Sequence, residues 1–259
     1  MIKTYFLFKL EIILRKWAEI RSKALLRRNS ELWIALQQYL NKTESTGCGY
    51  IDYAFLYKTI RSIKPIEILE CGTGVSTLII LYALRENEIE TGQAGRLTSM
   101  EESSLYFNMS HNLISTYPNL KKYIDLRLSD VIEDSYSIFR GVRYKSIPTR
   151  KYDFVFVDGP KYISPIDGAS TFNFDYIHLL RNSDHPIRCL IDKRLSTVFV
   201  LQQLLGVDKV KYSVILGLGI VSPCTRKDLG SIHTSITSKN FSKSFSVLKK
   251  TKLTITSNK

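Results

Sequence analysis

Cysteine is scarce and poorly placed for chemistry: Cys48, Cys71, Cys189 and Cys224 are the only four in 259 residues, and no two form a Cys-x-x-Cys pair. That argues against a zinc site and a disulfide framework, and fits a reducing cytoplasm. The histidines, His111, His178, His185 and His233, show no His-x-x-x-His spacing and read as surface or loop residues, with His185 the one to test as a base. No apolar run is long enough to span a bilayer, and the N-terminus lacks the order of a secretory signal. Acids are scarce at the ends. Residues 231–259 carry six lysines and no acid, and residues 1–28 carry eight cations against Glu11 and Glu19.

The formal net charge of +13 is therefore concentrated at two ends, as expected of appended surfaces rather than a basic catalytic groove. Within the first of them Phe6, Leu10, Ile13, Trp17 and Ile20 recur at helical steps, with Lys9, Lys16 and Lys23 beside them. This basic amphipathic helix suits an anionic membrane, the domain itself or a partner subunit. A second helix, capped by Asn29 or Ser30, is expected over 31–40, followed by a loop over 41–49. Residues 1–45 thus form a helical extension, and 46–259 one α/β domain with a basic tail.

From residue 53 a helix runs to 63, stopped by Lys64-Pro65. Strands are expected at 66–70, 96–100, 124–128, 152–157 and 188–191, with helices at 75–85, 103–116 and 196–205. That alternation predicts a doubly wound, mostly parallel sheet. The last strands are placed at 212–216 and 245–248, as an antiparallel pair, and 217–244 shows no usable periodicity.

The first strand leads into Glu70-Cys71-Gly72-Thr73-Gly74, an acid and two glycines at a strand-to-helix turn. Glycines there permit close approach of a ligand to the backbone. A dinucleotide fingerprint requires a third glycine where Thr77 stands, which argues against NAD. The next three strands also end in acids: Glu101, suited to ribose hydroxyls; Ser129-Asp130, suited to an adenine amino group; and Asp158, before Gly159-Pro160.

This pattern resembles class I S-adenosylmethionine-dependent methyltransferases across about residues 50–216. Thr46 to Tyr50, Ile68 to Thr77, Met100 to Ser103, Val157 to Pro160 and Ile191 to Arg194 resemble a group of largely uncharacterised bacterial methyltransferase-like proteins. The resemblance implies a Rossmann-like methyltransferase fold and a cofactor, S-adenosyl-L-methionine, held by Glu70, Gly72, Gly74, Glu101, Ser129 and Asp130, with Asp158 facing the transferred methyl. Asp158, Lys161, Asp192 and Lys193 are then the candidates to align the acceptor and remove its proton. Catechol-type relatives place a metal-binding asparagine where Lys193 stands; a protonated lysine is no ligand, so no metal is expected.

The expected activity is methylation of an oxygen or nitrogen of a small molecule or sugar-containing precursor. Competing readings are an RNA methyltransferase, motivated by the charge, and a non-catalytic scaffold, motivated by Lys193. The chain lacks the Asn/Asp-Pro-Pro-aromatic motif of some base methyltransferases. Tyr50, Asp52 and Tyr53 suit a lid or packing, and Phe172, Phe174 and Tyr176 suit an acceptor pocket or a buried helix face.

Overall fold

The computed structural model describes residues 2–42 and 49–230. The expected strand at 245–248, the tail over 231–259, Thr46 to Cys48 and His233 lie outside the described residues. Helices α1 (Ile2–Leu26), α2 (Ser30–Lys42) and α3 (Tyr50–Ile63) precede the alternating part. That part runs β1 (Glu67–Cys71), α4 (Val75–Thr91), β2 (Arg96–Glu101), α5 (Ser104–Ser115), α6 (Pro118–Lys121), β3 (Ile124–Leu128), β4 (Val131–Tyr136) and β5 (Phe139–Tyr144). It continues through β6 (Phe154–Val157), α7 (Asp175–Leu180), β7 (Ile187–Asp192), α8 (Leu195–Leu205), β8 (Val210–Ser213) and β9 (Leu218–Cys224).

Local chemistry sets several boundaries. The Asn29 side chain accepts from Leu32 N at 2.9 Å and caps α2. Lys64, held outside the α region by Pro65, ends α3 in the left-handed conformation. Helix α4 runs past its expected end at 85 to Thr91, where Gly92 at φ 73° caps it.

The main sheet has the order β3-β2-β1-β6-β7-β9-β8. Its first five strands are parallel, and β9 enters antiparallel between β7 and β8. The fold is thus α/β and doubly wound, with the strand order reversing between β1 and β6. One face is covered by α2, α3 and α4 through Leu36, Leu56, Ile79 and Ile80, with Ile68 and Phe156 beneath. The other is covered by α7 and α8 through Tyr176, Val198 and Leu201, with Leu69, Cys71 and Val155 beneath. Leu26, Leu32 and Leu36 are fully buried in the first core, so the N-terminal helices share it.

Two expectations require correction. The strand expected at 212–216 is β8 at Val210–Ser213, and its partner is β9, inside the stretch that showed no periodicity. Gly217, Gly219 and Pro223 interrupt the pattern there; Gly219 is required because an added Cβ would stand 2.5 Å from Val198 on α8. An antiparallel hairpin, β4-β5, also interrupts the alternation. Its turn at Ser137-Ile138 places Ser137 at φ 57° without the Asn-Gly or Asp-Gly signal that marks such turns.

Candidate active site

Register places the candidate residues in one row. Cys71 pairs with Met100 on one side and Val157 on the other, and Val157 pairs with Ile191. The next residue on each strand is therefore Glu101, Gly72, Asp158 or Asp192, side by side beyond the carboxyl ends, where the strand order reverses. Ligands of open α/β sheets bind at this place.

The loop after β1 and the turn after β6 touch. Gly72 sits at φ 93°, and a Cβ on it would lie 2.8 Å from Gly159 N. A Cβ on Gly159 would lie 2.7 Å from Gly72 Cα and 2.7 Å from Tyr144 Oη. Only glycines allow this approach. Gly74 differs: an added Cβ would meet nothing within 4 Å, so open space borders the loop.

On the β1–β2 side the acids hold the loop in place. Glu70 is fully buried, and its Oε2 accepts from Thr77 Oγ1 and Ser99 Oγ, both at 2.6 Å. Burial pushes its carboxyl up to about 7, opposed by the bonds from Ser99 and Thr77. Glu101 accepts from Thr73 N and Oγ1, both at 3.1 Å, through Oε2, and from Glu102 N and Ser103 N at 3.0 and 2.9 Å through Oε1. Burial raises its carboxyl as well. Beyond β3, Asp130 is exposed, whereas Ser129 is buried, its hydroxyl donating to Asp130 O and accepting from Ser146 N.

On the β6–β7 side charges of both signs meet. Arg194 donates to Pro160 O at 3.0 Å and stands 3.6 Å from Asp158 Oδ1. Lys193 Nζ lies 3.5 Å from Oδ2 of buried Asp52, which also accepts from Gly49 N at 2.8 Å. Asp192 is buried at the end of β7. A cavity of about 600 Å³ is lined by Lys161, Tyr162, Ser170, Lys193, Arg194 and Ser196 among others, three cations and no acid. A second, about 460 Å³, lies between α1 and Lys193, with Arg15, Ile20 and Asp52 in its wall. Among the described residues no three His, Cys, Asp or Glu side chains converge as a metal site.

A bridge joins the two sides. Glu102 accepts from Tyr144 Oη at 2.8 Å and from Lys161 N at 3.1 Å, tying the end of β2 to the turn after β6. Neither Glu102 nor Tyr144 was singled out as a site residue from sequence; Tyr144 lies on the unexpected hairpin. Phe172, Phe174 and Tyr176 are fully buried in the second core, so the pocket alternative for them is set aside. His185 has both ring nitrogens engaged, by Tyr152 O at 2.7 Å and Ser183 Oγ at 2.9 Å, at the amino end of β7 away from the row. That placement removes it as a base.

No family model and no curated protein matches the chain. Among solved structures it is similar to the SAH-bound methyltransferase PaMTH1 of Podospora anserina, with 16% identity over 72% of each chain and a TM-score of 0.44. A methyltransferase-like protein from Silicibacter pomeroyi gives 13% identity over 74% of this chain and 92% of that one, with a TM-score of 0.42. The plantazolicin methyltransferase BpumL, in complex with SAH, gives 15% identity over 96% and 79%, with a TM-score of 0.32. The strand order and the row of residues beyond it, rather than these distant likenesses, define the fold as α/β, doubly wound and Rossmann-like.

Proposed function

We propose that the protein is an S-adenosylmethionine-dependent methyltransferase acting on an oxygen or nitrogen of a small molecule or sugar-containing precursor. The observation that carries this reading is the row Glu101, Gly72, Asp158 and Asp192 at the point where the strand order reverses. The residues fit the cofactor. Gly74 borders open space for its methionine end, with Gly72 shaping the loop against Gly159, Glu101 stands at the place for ribose hydroxyls, and Asp130, with Ser129 behind it, at the place for the adenine amino group. Glu70 acts one step back, fixing Thr77 at the start of α4. When bound, the sulfonium supplies an electrophilic methyl for in-line displacement.

The chain's own residues then align the acceptor and move its proton. Asp158, partly exposed at 30%, is the group that accepts a proton from an acceptor hydroxyl or amine. Lys161, Lys193 and Arg194 in the adjoining cavity hold the acceptor and stabilise charge developing on its oxygen. Lys161, the cation of the three for which no carboxylate lies within 4 Å among the described residues, favours an acceptor that bears an anionic group.

Calorimetric titration with S-adenosylmethionine and S-adenosylhomocysteine tests the reading. Micromolar binding, about −8 kcal/mol, that falls about 100-fold in Glu101→Ala is expected. Absence of binding to the folded protein rejects it in favour of a scaffold. The pairing of Lys193 with Asp52 favours that second reading, because it engages a cation that the acceptor would otherwise meet.

A further inference from the structure

We propose that the outer face of α1 is a docking surface for an anionic lipid bilayer. Ile13, Trp17 and Ile20 follow one another at steps of four and three, and their exposures are 52%, 64% and 65%. Ala24, one further step along, is exposed too. At about 100° per residue these positions form one strip along the helix. Within α1, Lys16 flanks it on one side and Arg21 on the other, both exposed; Arg27 and Arg28, also exposed, follow in the turn beyond the helix, with Arg27 over the Trp33 ring. Glu19 is the one acid between residues 12 and 28; it lies away from the strip and pairs with Lys23 at 3.6 Å.

The combination selects the occupant. A bare apolar strip would suit many surfaces, but an apolar strip bordered by cations matches acyl chains bordered by anionic headgroups, with the Trp17 indole at the boundary. A second copy packed on this face would bring the bordering cations of one helix against those of the other. A polyphosphate chain would satisfy the cations and leave Ile13, Trp17 and Ile20 in water. No helix among the described residues is long and apolar enough to cross a membrane, so the contact is one of lying on the surface. Ile20 also belongs to the wall of the 460 Å³ cavity beside Asp52 and Lys193, so docking sets that cavity at the lipid surface.

The test is sedimentation of the full chain with vesicles of phosphatidylcholine alone and of phosphatidylcholine with phosphatidylglycerol in equal parts, alongside tryptophan emission in a Trp33→Phe background. Binding to the anionic vesicles alone is expected, with a blue shift of Trp17 emission and weakening by added salt. A combined Ile13→Ser, Trp17→Ser and Ile20→Ser variant, whose side chains are exposed and whose melting should not change, is expected to lose at least about tenfold in partitioning. Equal binding by that variant would transfer the contact to another basic segment and overturn the proposal. So would absence of vesicle binding, or a dimer of the parent that the triple variant dissociates.

Discussion

The two sides of the candidate site use acids in opposite ways. Beside β1 and β2, Glu70 and Glu101 are buried and accept hydrogen bonds from the chain's own loop and helix starts. Beside β6 and β7, Asp158 and Asp52 face Arg194 and Lys193 across 3.6 and 3.5 Å, next to open cavities. The first arrangement fixes backbone shape; the second sets carboxylates against cations at the edge of the cavities. A group-transfer site benefits from both, since one ligand must be held in a single pose while the other enters and leaves.

The sharpest break would come where the sides touch. Gly159→Ala would press a Cβ to 2.7 Å from Gly72 Cα, backbone against backbone, and is expected to cost about 3 kcal/mol or more in denaturant melts. A variant as stable as the parent would mean that the two loops slide independently.

Next in size is the pH response of the first side. Burial holds the Glu70 carboxyl at about 7 in the folded chain, above its ordinary value of 4.5. Between those values the folded state carries the extra proton on this group, so its contribution to stability falls as pH rises through the window and levels off above 7. Glu70→Gln is expected to flatten this fall, by at most about 3 kcal/mol at pH 8. Buried Asp175, also raised to about 7, adds a fall of the same sign from its ordinary 3.8, which Glu70→Gln leaves in place. Melting curves from pH 4 to 8 decide it; an unchanged slope in the variant removes Glu70 as the source. Smaller still is Thr73→Val, which removes the hydroxyl bonds to Glu101 and Ser110 but keeps the backbone one. Its expected cost is about 1 kcal/mol, read in the same melts.

The first side was largely legible in the sequence because its determinants are local. Glu70, Gly72, Gly74 and Thr77 lie within eight residues, and a parallel register carries the pattern to Glu101. The second side was less so. Asp158, Lys161, Asp192 and Lys193 could be named from strand ends, but Asp52 meets Lys193 from a helix 141 positions earlier. Tyr144 reaches Glu102 from a hairpin whose turn lacks the usual glycine. Periodicity reports which face a residue occupies and says nothing of such distant partners.

Lys193 offers the finest test of the comparison. It stands at φ 46°, a left-handed conformation that costs a residue with a Cβ about 1 kcal/mol relative to glycine. Its backbone N donates to Gly217 O at 3.1 Å, which fixes the turn whatever the side chain. The ion pair with Asp52 returns little, because the lysine side chain is 45% exposed and water screens it. Lys193→Gly should therefore leave the protein as stable or slightly more so, by up to about 0.5 kcal/mol, while methyl transfer falls and S-adenosylmethionine affinity stays unchanged. That outcome would mark Lys193 as a group held for its charge rather than for stability. If the glycine variant were clearly less stable, the ammonium would instead be part of the scaffold, and the β6–β7 side would be as fixed as the side it is contrasted with.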